Sequence, residues 1–161
     1  MTLRQQLDAF DGKHTAPLQT IAAEATPDLQ RQLVREIPGP RETAATWVLK
    51  ALAEQGRLEE KVAASVFEEL AGLSDWQAML HVLQMVQHHP RAFAVDVDTL
   101  RDLLAHPKTL VRAWALDAFV RVGPAGESRR LVNEALDAKQ ASIRARARQL
   151  AELIKPTSSK D

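Results

Sequence analysis

An all-α fold, an array of about five antiparallel helical hairpins, is what this sequence predicts, and three observations predict it. The first is repetition. The stretch LLAHPKTLVRAWALDAFVRVG, from Leu103 to Gly123, returns around residue 140. Sliding the chain by 32 positions puts Leu104 on Leu136, Val111 on Ile143, Arg112 on Arg144 and Ala115 on Ala147. Sliding it back by 67 puts Leu104 on Ile37, Pro107 on Pro40, Trp114 on Trp47 and Ala118 on Ala51. A period of this length holding two helices marks stacked helical hairpins. The second is punctuation. Pro17, Pro27, Pro40 and Pro107 stand where a first helical turn begins, and Pro38, Pro90, Pro124 and Pro156 lie just beyond helix ends. Gly12, Gly39, Gly56, Gly72 and Gly123 each follow a helical stretch, where a left-handed C-cap is expected. The third is composition. Aromatic residues make up 4% of the chain with no Tyr, while Ala and Leu abound, which suits closely packed helices rather than sheets.

The elements follow in order. Residues 2–11 form a short helix with Leu3, Leu7 and Phe10 on one face, and residues 16–25 form a second. Residues 1–25 thereby make a capping hairpin, which an array needs because its end repeat has no neighbour to cover it. The next hairpin pairs 27–37 with 41–55, burying Ala44, Trp47, Val48, Ala51 and Leu52 opposite Thr43, Thr46, Lys50 and Glu54. The third pairs 58–71 with 75–88, and Ser74 with Gln77 offers its second helix a capping box. Trp76, Met79, Leu80, Leu83 and Val86 form that helix's apolar face. RAFAVDVD, after Pro90, alternates like a strand, but without a strand partner it reads as an extended linker. Asp98 then caps a helix running to about His106, and Pro107 opens its partner. The fifth hairpin pairs 126–138 with 141–154, burying Ile143, Ala147, Leu150 and Ile154. One domain spans 1–155, and 156–161 form a disordered polar tail.

Composition bounds the function. With no Cys, disulfides, thiolate metal sites and a cysteine nucleophile are excluded. No apolar run approaches the roughly 20 residues that cross a bilayer, and Arg4 and Asp8 break up any secretory signal. A cytoplasmic protein with no membrane partner is expected. The net charge of zero hides an asymmetry, with 9 Lys/Arg against 14 Asp/Glu in residues 1–100 and 12 against 7 in residues 101–161. Such a layout steers a partner to one end, favours head-to-tail self-association, or is simply an uneven solvated surface.

Few residues suggest chemistry. His81 and His88 lie seven apart on one helix, roughly 10 Å along the axis and too far to share a metal ion. Asp96, Asp98 and Asp102 lack the glycine and closing Glu of a calcium loop. There is no GxSxG turn, P-loop or dinucleotide fingerprint. No catalytic, cofactor or metal residue is assigned.

Three groups remain. Arg112 and Arg144, at matching positions early in the second helices, are expected to span neighbouring hairpins and satisfy loop carbonyls. Arg129, Arg130, Arg146 and Arg148 read as an exposed basic patch able to meet phosphate or an acidic protein. Gln77, His81, Gln84 and His88 form a stripe at i, i+4, i+7 and i+11 that bears no Lys, Arg, Asp or Glu. An uncharged polar face desolvates cheaply against a partner. A helix flanked on both sides in the array explains the same pattern, and the residues leave both readings open.

The segments LLAHPKTLVRAWALDAFVRVG and ALDAKQASIRARARQLAELI resemble the HEAT-like repeat family, including the short repeats first described in phycobilisome lyases. Val111-Arg112 and Ile143-Arg144 match the family's second-helix opening. The resemblance implies an α-solenoid, a curved superhelix whose second helices line a concave, protein-binding face. It therefore implies a non-enzymatic scaffold module for a protein or peptide. The alternatives are nucleic-acid binding through the basic C-terminal half and, less favoured, a HEAT-like DNA glycosylase using concave Trp and Asp residues such as Trp114 and Asp117. Oligomeric state is not legible.

Overall fold

A helix is made or lost at its ends, where backbone groups lack intrahelical partners. A computed structural model describes residues 1–154, and its helices show how the sequence meets that need. In α1 (Leu3–Asp8) the Thr2 hydroxyl accepts the Gln5 N–H at 3.2 Å while the Gln5 side chain accepts the Thr2 N–H at 2.8 Å. Pro17 sits in the first turn of α2 (Ala16–Glu24) and Pro27 opens α3 (Pro27–Val34), whose first amides are capped by Thr26. At the end of α4 (Glu42–Glu54) the Arg57 N–H bonds the Leu52 carbonyl at 2.9 Å across Gly56. Gly56 supplies the positive φ of 70° which that reversal requires.

The remaining helices are α5 (Glu60–Glu68), α6 (Trp76–Met85), α7 (Asp98–Leu103), α8 (Thr109–Val122), α9 (Ala125–Ala135) and α10 (Ala141–Ile154). Short 3-10 turns at Leu70–Gly72 and Pro90–Ala92 follow α5 and α6. The fold is all-helical, with no strand among the described residues. The tail expected at 156–161 lies outside them. RAFAVDVD pairs with no strand. It begins in the second 3-10 turn, and Phe93 packs on Phe67 of α5 with ring centroids 5.3 Å apart.

Contacts divide the chain into two units that meet in sequence at Val95 and Asp96. In the first, α1 packs on α2, α3 on α4 and α5 on α6, and α4 lies against both α2 and α6. Leu18, Ile21, Leu33, Val48, Leu49, Leu52, Val66, Val82 and Leu83 are all 0–1% exposed in this core. In the second, α7 packs on α8 and α9 on α10, and α8 also lies against α9 and α10. Its core joins Leu116, Val132, Ala147 and Leu150, with Leu104, Leu131, Leu136 and Ile154 against them.

Several expectations need correction. Trp47 is only half-buried, and the core side of α4 is Ala45, Val48, Leu49 and Leu52. The buried side of α6 is rotated toward Ala78, Val82, Leu83, Met85 and Val86, leaving Trp76, Met79 and Leu80 half-buried. Ile143 is likewise only partly covered. Gly123 has an extended φ of −90° rather than a left-handed one. Its lack of a side chain matters for space instead, because a Cβ there would stand 2.7 Å from the Phe119 carbonyl oxygen. Asp98 does not cap α7. It begins the helix, and its N–H is accepted by Asp96 Oδ1 at 2.9 Å.

Candidate functional site

The second helices of the hairpins carry the side chains of interest, and buried polar groups determine how those helices are set. Ser74 and Gln77 form no capping box. The Ser74 and Asp75 amides, just before α6, both donate to Glu42 Oε2 at 2.9 Å. Glu42 Oε1 accepts the Gly39 N–H at 3.1 Å and the Ser74 hydroxyl at 3.4 Å. Glu42 is 3% exposed, so one buried carboxylate ties the start of α4 to the start of α6. A carboxylate beside two helix N-termini also meets their positive dipole ends. Thr43 adds a short hydrogen bond to Asp75. In the same unit the buried Gln30 joins α3 to the turn ahead of α5, donating to the Arg57 carbonyl at 2.9 Å and accepting the Glu59 N–H at 3.1 Å.

The Gln/His stripe on α6 is not uniform. Gln77 and Gln84 are half-buried and His88 is exposed, but His81 is turned into the packing between α6 and α4. Its Nδ1 lies 2.9 Å from the Thr46 hydroxyl, which itself donates to the Glu42 carbonyl at 2.8 Å. With the hydroxyl proton so placed, Thr46 accepts from the His81 Nδ1–H. Burial, and next the nearby Lys50, push His81 down to about 4 despite the opposing Asp75. His81 is therefore a neutral strut at physiological pH. Thr46, expected on the polar side of α4, is wholly buried for the same reason. Gln77 instead borders a surface groove of about 300 Å³ with Phe10, Arg41, Thr43 and Asp75.

The four basic-patch residues also divide. Arg129, Arg130 and Arg148 are exposed, and Arg130 pairs with Glu134 at 3.0 Å. Arg146 is not an exposed cation. Its guanidinium lies 3.9 Å from the centroid of the Trp114 ring and its Nη1 is 3.4 Å from Asp117 Oδ2. Asp117 is 0% exposed, and its other oxygen accepts from Arg121 Nε at 2.7 Å. The Asp117–Arg121 spacing of four is readable on α8, whereas the arrival of Arg146 from α10 is not.

Arg112 and Arg144 satisfy loop carbonyls as expected, but those carbonyls belong to their own helix pairs and not to neighbouring ones. Arg112 Nη1 donates to the His106 and Pro107 carbonyls at 2.8 and 3.2 Å. Arg144 Nη1 donates to the Ala138 and Lys139 carbonyls, both at 2.7 Å. The offsets of six and five residues are identical, so the repeat in sequence is a repeat in bonding. Arg144→Ala is expected to cost about 2 kcal/mol, since charge-assisted bonds to two carbonyls are lost, and Arg144→Lys to recover only part of it. Thermal unfolding of the three proteins would decide. Equal stability of wild type and Arg144→Ala would show the bonds to be incidental.

One feature is matched in the two units, each taken by itself. Trp47 on α4 and Trp114 on α8 are both half-buried and occupy the same place under the 67-residue slide. Each is followed at the third and seventh positions by an ion pair, Lys50–Glu54 at 3.2 Å and Asp117–Arg121 at 2.7 Å, with opposite order of charge. Among the described residues no group of three or more His, Asp or Glu side chains could hold a metal ion. No described helix is long and apolar enough to cross a membrane. Compared with protein-family models, curated proteins and solved structures, the chain matches none.

Proposed function

We propose that this chain is a non-enzymatic interaction module, built as a HEAT-like α-solenoid of five antiparallel hairpins, that binds a protein or peptide on the side presented by its second helices. The matched, half-buried Trp47 and Trp114, one in each unit, carry the reading. Tryptophan is a rigid amphipathic anchor, enriched where partner binding energy concentrates, and each here is followed along its helix by an ion pair. Repetition of the Arg112 and Arg144 carbonyl bonds supports the repeat architecture. Asp117, the carboxylate that a glycosylase reading puts to work, has both oxygens engaged and no exposed surface, which favours a structural part for it.

The test is selection of a displayed random-peptide library on the immobilised chain, with a random oligonucleotide pool in parallel. A recurring peptide motif is expected, whose binding falls roughly thirtyfold in the folded Trp47→Ala/Trp114→Ala variant. Retention of oligonucleotides with a steep salt dependence, and no recurring peptide, would move the function to the exposed Arg129, Arg130 and Arg148.

A further inference from the structure

The face of α8 that carries Trp114 has a chemical direction. Leu110, Trp114, Asp117 and Arg121 recur at i, i+4, i+7 and i+11, so they share one face of α8. Leu110 is 46% exposed at the N-terminal end, and Trp114 is half-buried next to it. At the C-terminal end the buried Asp117 carboxylate lies between two guanidinium groups, using Arg121 Nε and Arg146 Nη1. Two cations around one anion leave one positive charge. Each guanidinium has five N–H donors, and the described residues engage one from each. The arginine side chains remain 26% and 23% exposed, so part of each reaches solvent. Both are already ordered, Arg121 by Asp117 and Arg146 by Asp117 and the Trp114 ring. An anion arriving there meets donors whose rotamer entropy is already spent.

We propose that this cluster seats a side-chain carboxylate of an acidic peptide, with an apolar residue of the same peptide against Trp114 and Leu110. The inference rests on the peptide-binding reading and names the chemistry of the partner. Seven helical residues separate Trp114 from Arg121, roughly 10 Å along α8. An extended peptide covers that distance in about three residues. The motif is thus an apolar residue followed, or preceded, about three positions away by Asp or Glu. A nucleic-acid strand fits less well, because it asks for cations repeated along a backbone track, whereas one net charge is set here beside two apolar side chains.

The test uses a fluorescein-labelled peptide Leu-Leu-Ser-Ser-Glu-Glu, the same peptide with Gln for Glu, and a thymidine oligonucleotide as competitor. Polarisation titrations are paired with ¹H–¹⁵N spectra of the Trp114 indole and the Arg121 and Arg146 Nε–H groups. Saturable binding of the Glu peptide is expected, with shifts at those three signals. Affinity is expected to fall about tenfold for the Gln peptide and in Arg146→Gln, and to be unchanged in Arg91→Gln, which removes a charge elsewhere. Arg146→Lys, which keeps the charge but not the planar stack, is expected to fall between them. Should Arg146→Gln unfold, the wild-type shift map and the two peptides decide alone. Equal binding of both peptides, shifts that collect at Trp47 and Gln84, or displacement by the oligonucleotide overturns the acidic-peptide site. In the first two of those cases peptide binding itself survives. No binding of either peptide overturns the site too, and the peptide-binding reading falls with it only if library selection also fails.

Discussion

Replacing Glu42 with Ala is expected to lower stability by about 4 kcal/mol, the largest loss from any single substitution considered for this chain. The side chain is 3% exposed, and its oxygens accept backbone N–H groups from Gly39, Ser74 and Asp75 together with the Ser74 hydroxyl. Alanine leaves those donors without the acceptor and removes a negative charge from the first turn of α4 and the start of α6. For a chain of this size the melting temperature should drop by roughly 10 °C. Glu42→Gln is the sharper comparison. It keeps the volume, but its amide NH₂ must face N–H donors, so it should recover no more than half the loss. Thermal unfolding monitored by circular dichroism checks both. A Gln variant as stable as wild type would mean that shape and not charge matters at this position.

Acid sensitivity centred on His81 is the second large effect. The folded chain holds this imidazole at about 4, below the ordinary value of 6.5, because burial and Lys50 outweigh Asp75. The unfolded chain therefore takes up a proton between those two values and the folded chain does not. Stability is full above about pH 6.5 and declines as the pH falls toward 4, by at most about 3 kcal/mol. Physically, the His81 Nδ1–H must stay on Thr46, and a second proton would place a cation in the packing between α4 and α6 near Lys50. Two measurements check this. The His81 ring signals should titrate near pH 4 in an NMR series, and His81→Gln should flatten the stability profile between pH 4 and 6.5. A ring that titrates at its ordinary value would show that solvent reaches it in the folded state.

These two sites show where sequence reading stops. All ten helices were legible within a few residues at each end, because apolar spacing, proline at starts and glycine at ends are local signals that each segment carries by itself. That α1 packs on α2, α3 on α4, α5 on α6, α7 on α8 and α9 on α10 was legible too, since short loops leave little choice of neighbour. Arg112 and Arg144 could be assigned their carbonyl bonds because the donor and its acceptors lie within six residues of one another. Even the Trp47–Trp114 correspondence was visible as a repeat, although the incomplete burial of both rings was not.

Long-range burial was hidden. Nothing local marks Glu42, because the Ser74 and Asp75 amides that it holds lie 32 and 33 residues away. His81 looked like one of four equivalent polar residues on α6, yet Thr46 from α4 singles it out. Arg146 looked like part of a solvated basic patch until Trp114 and Asp117 claimed it. The physical reason is common to all three. Helical periodicity tells which side of a helix is apolar, but a polar side chain is buried only where another segment brings the complementary donor or acceptor. By itself the sequence determined that this chain is helical, where each helix begins and ends, and which neighbours pair. Tertiary packing alone decided which charges sit inside as struts and which apolar side chains, Trp47 and Trp114 among them, stay only half-buried.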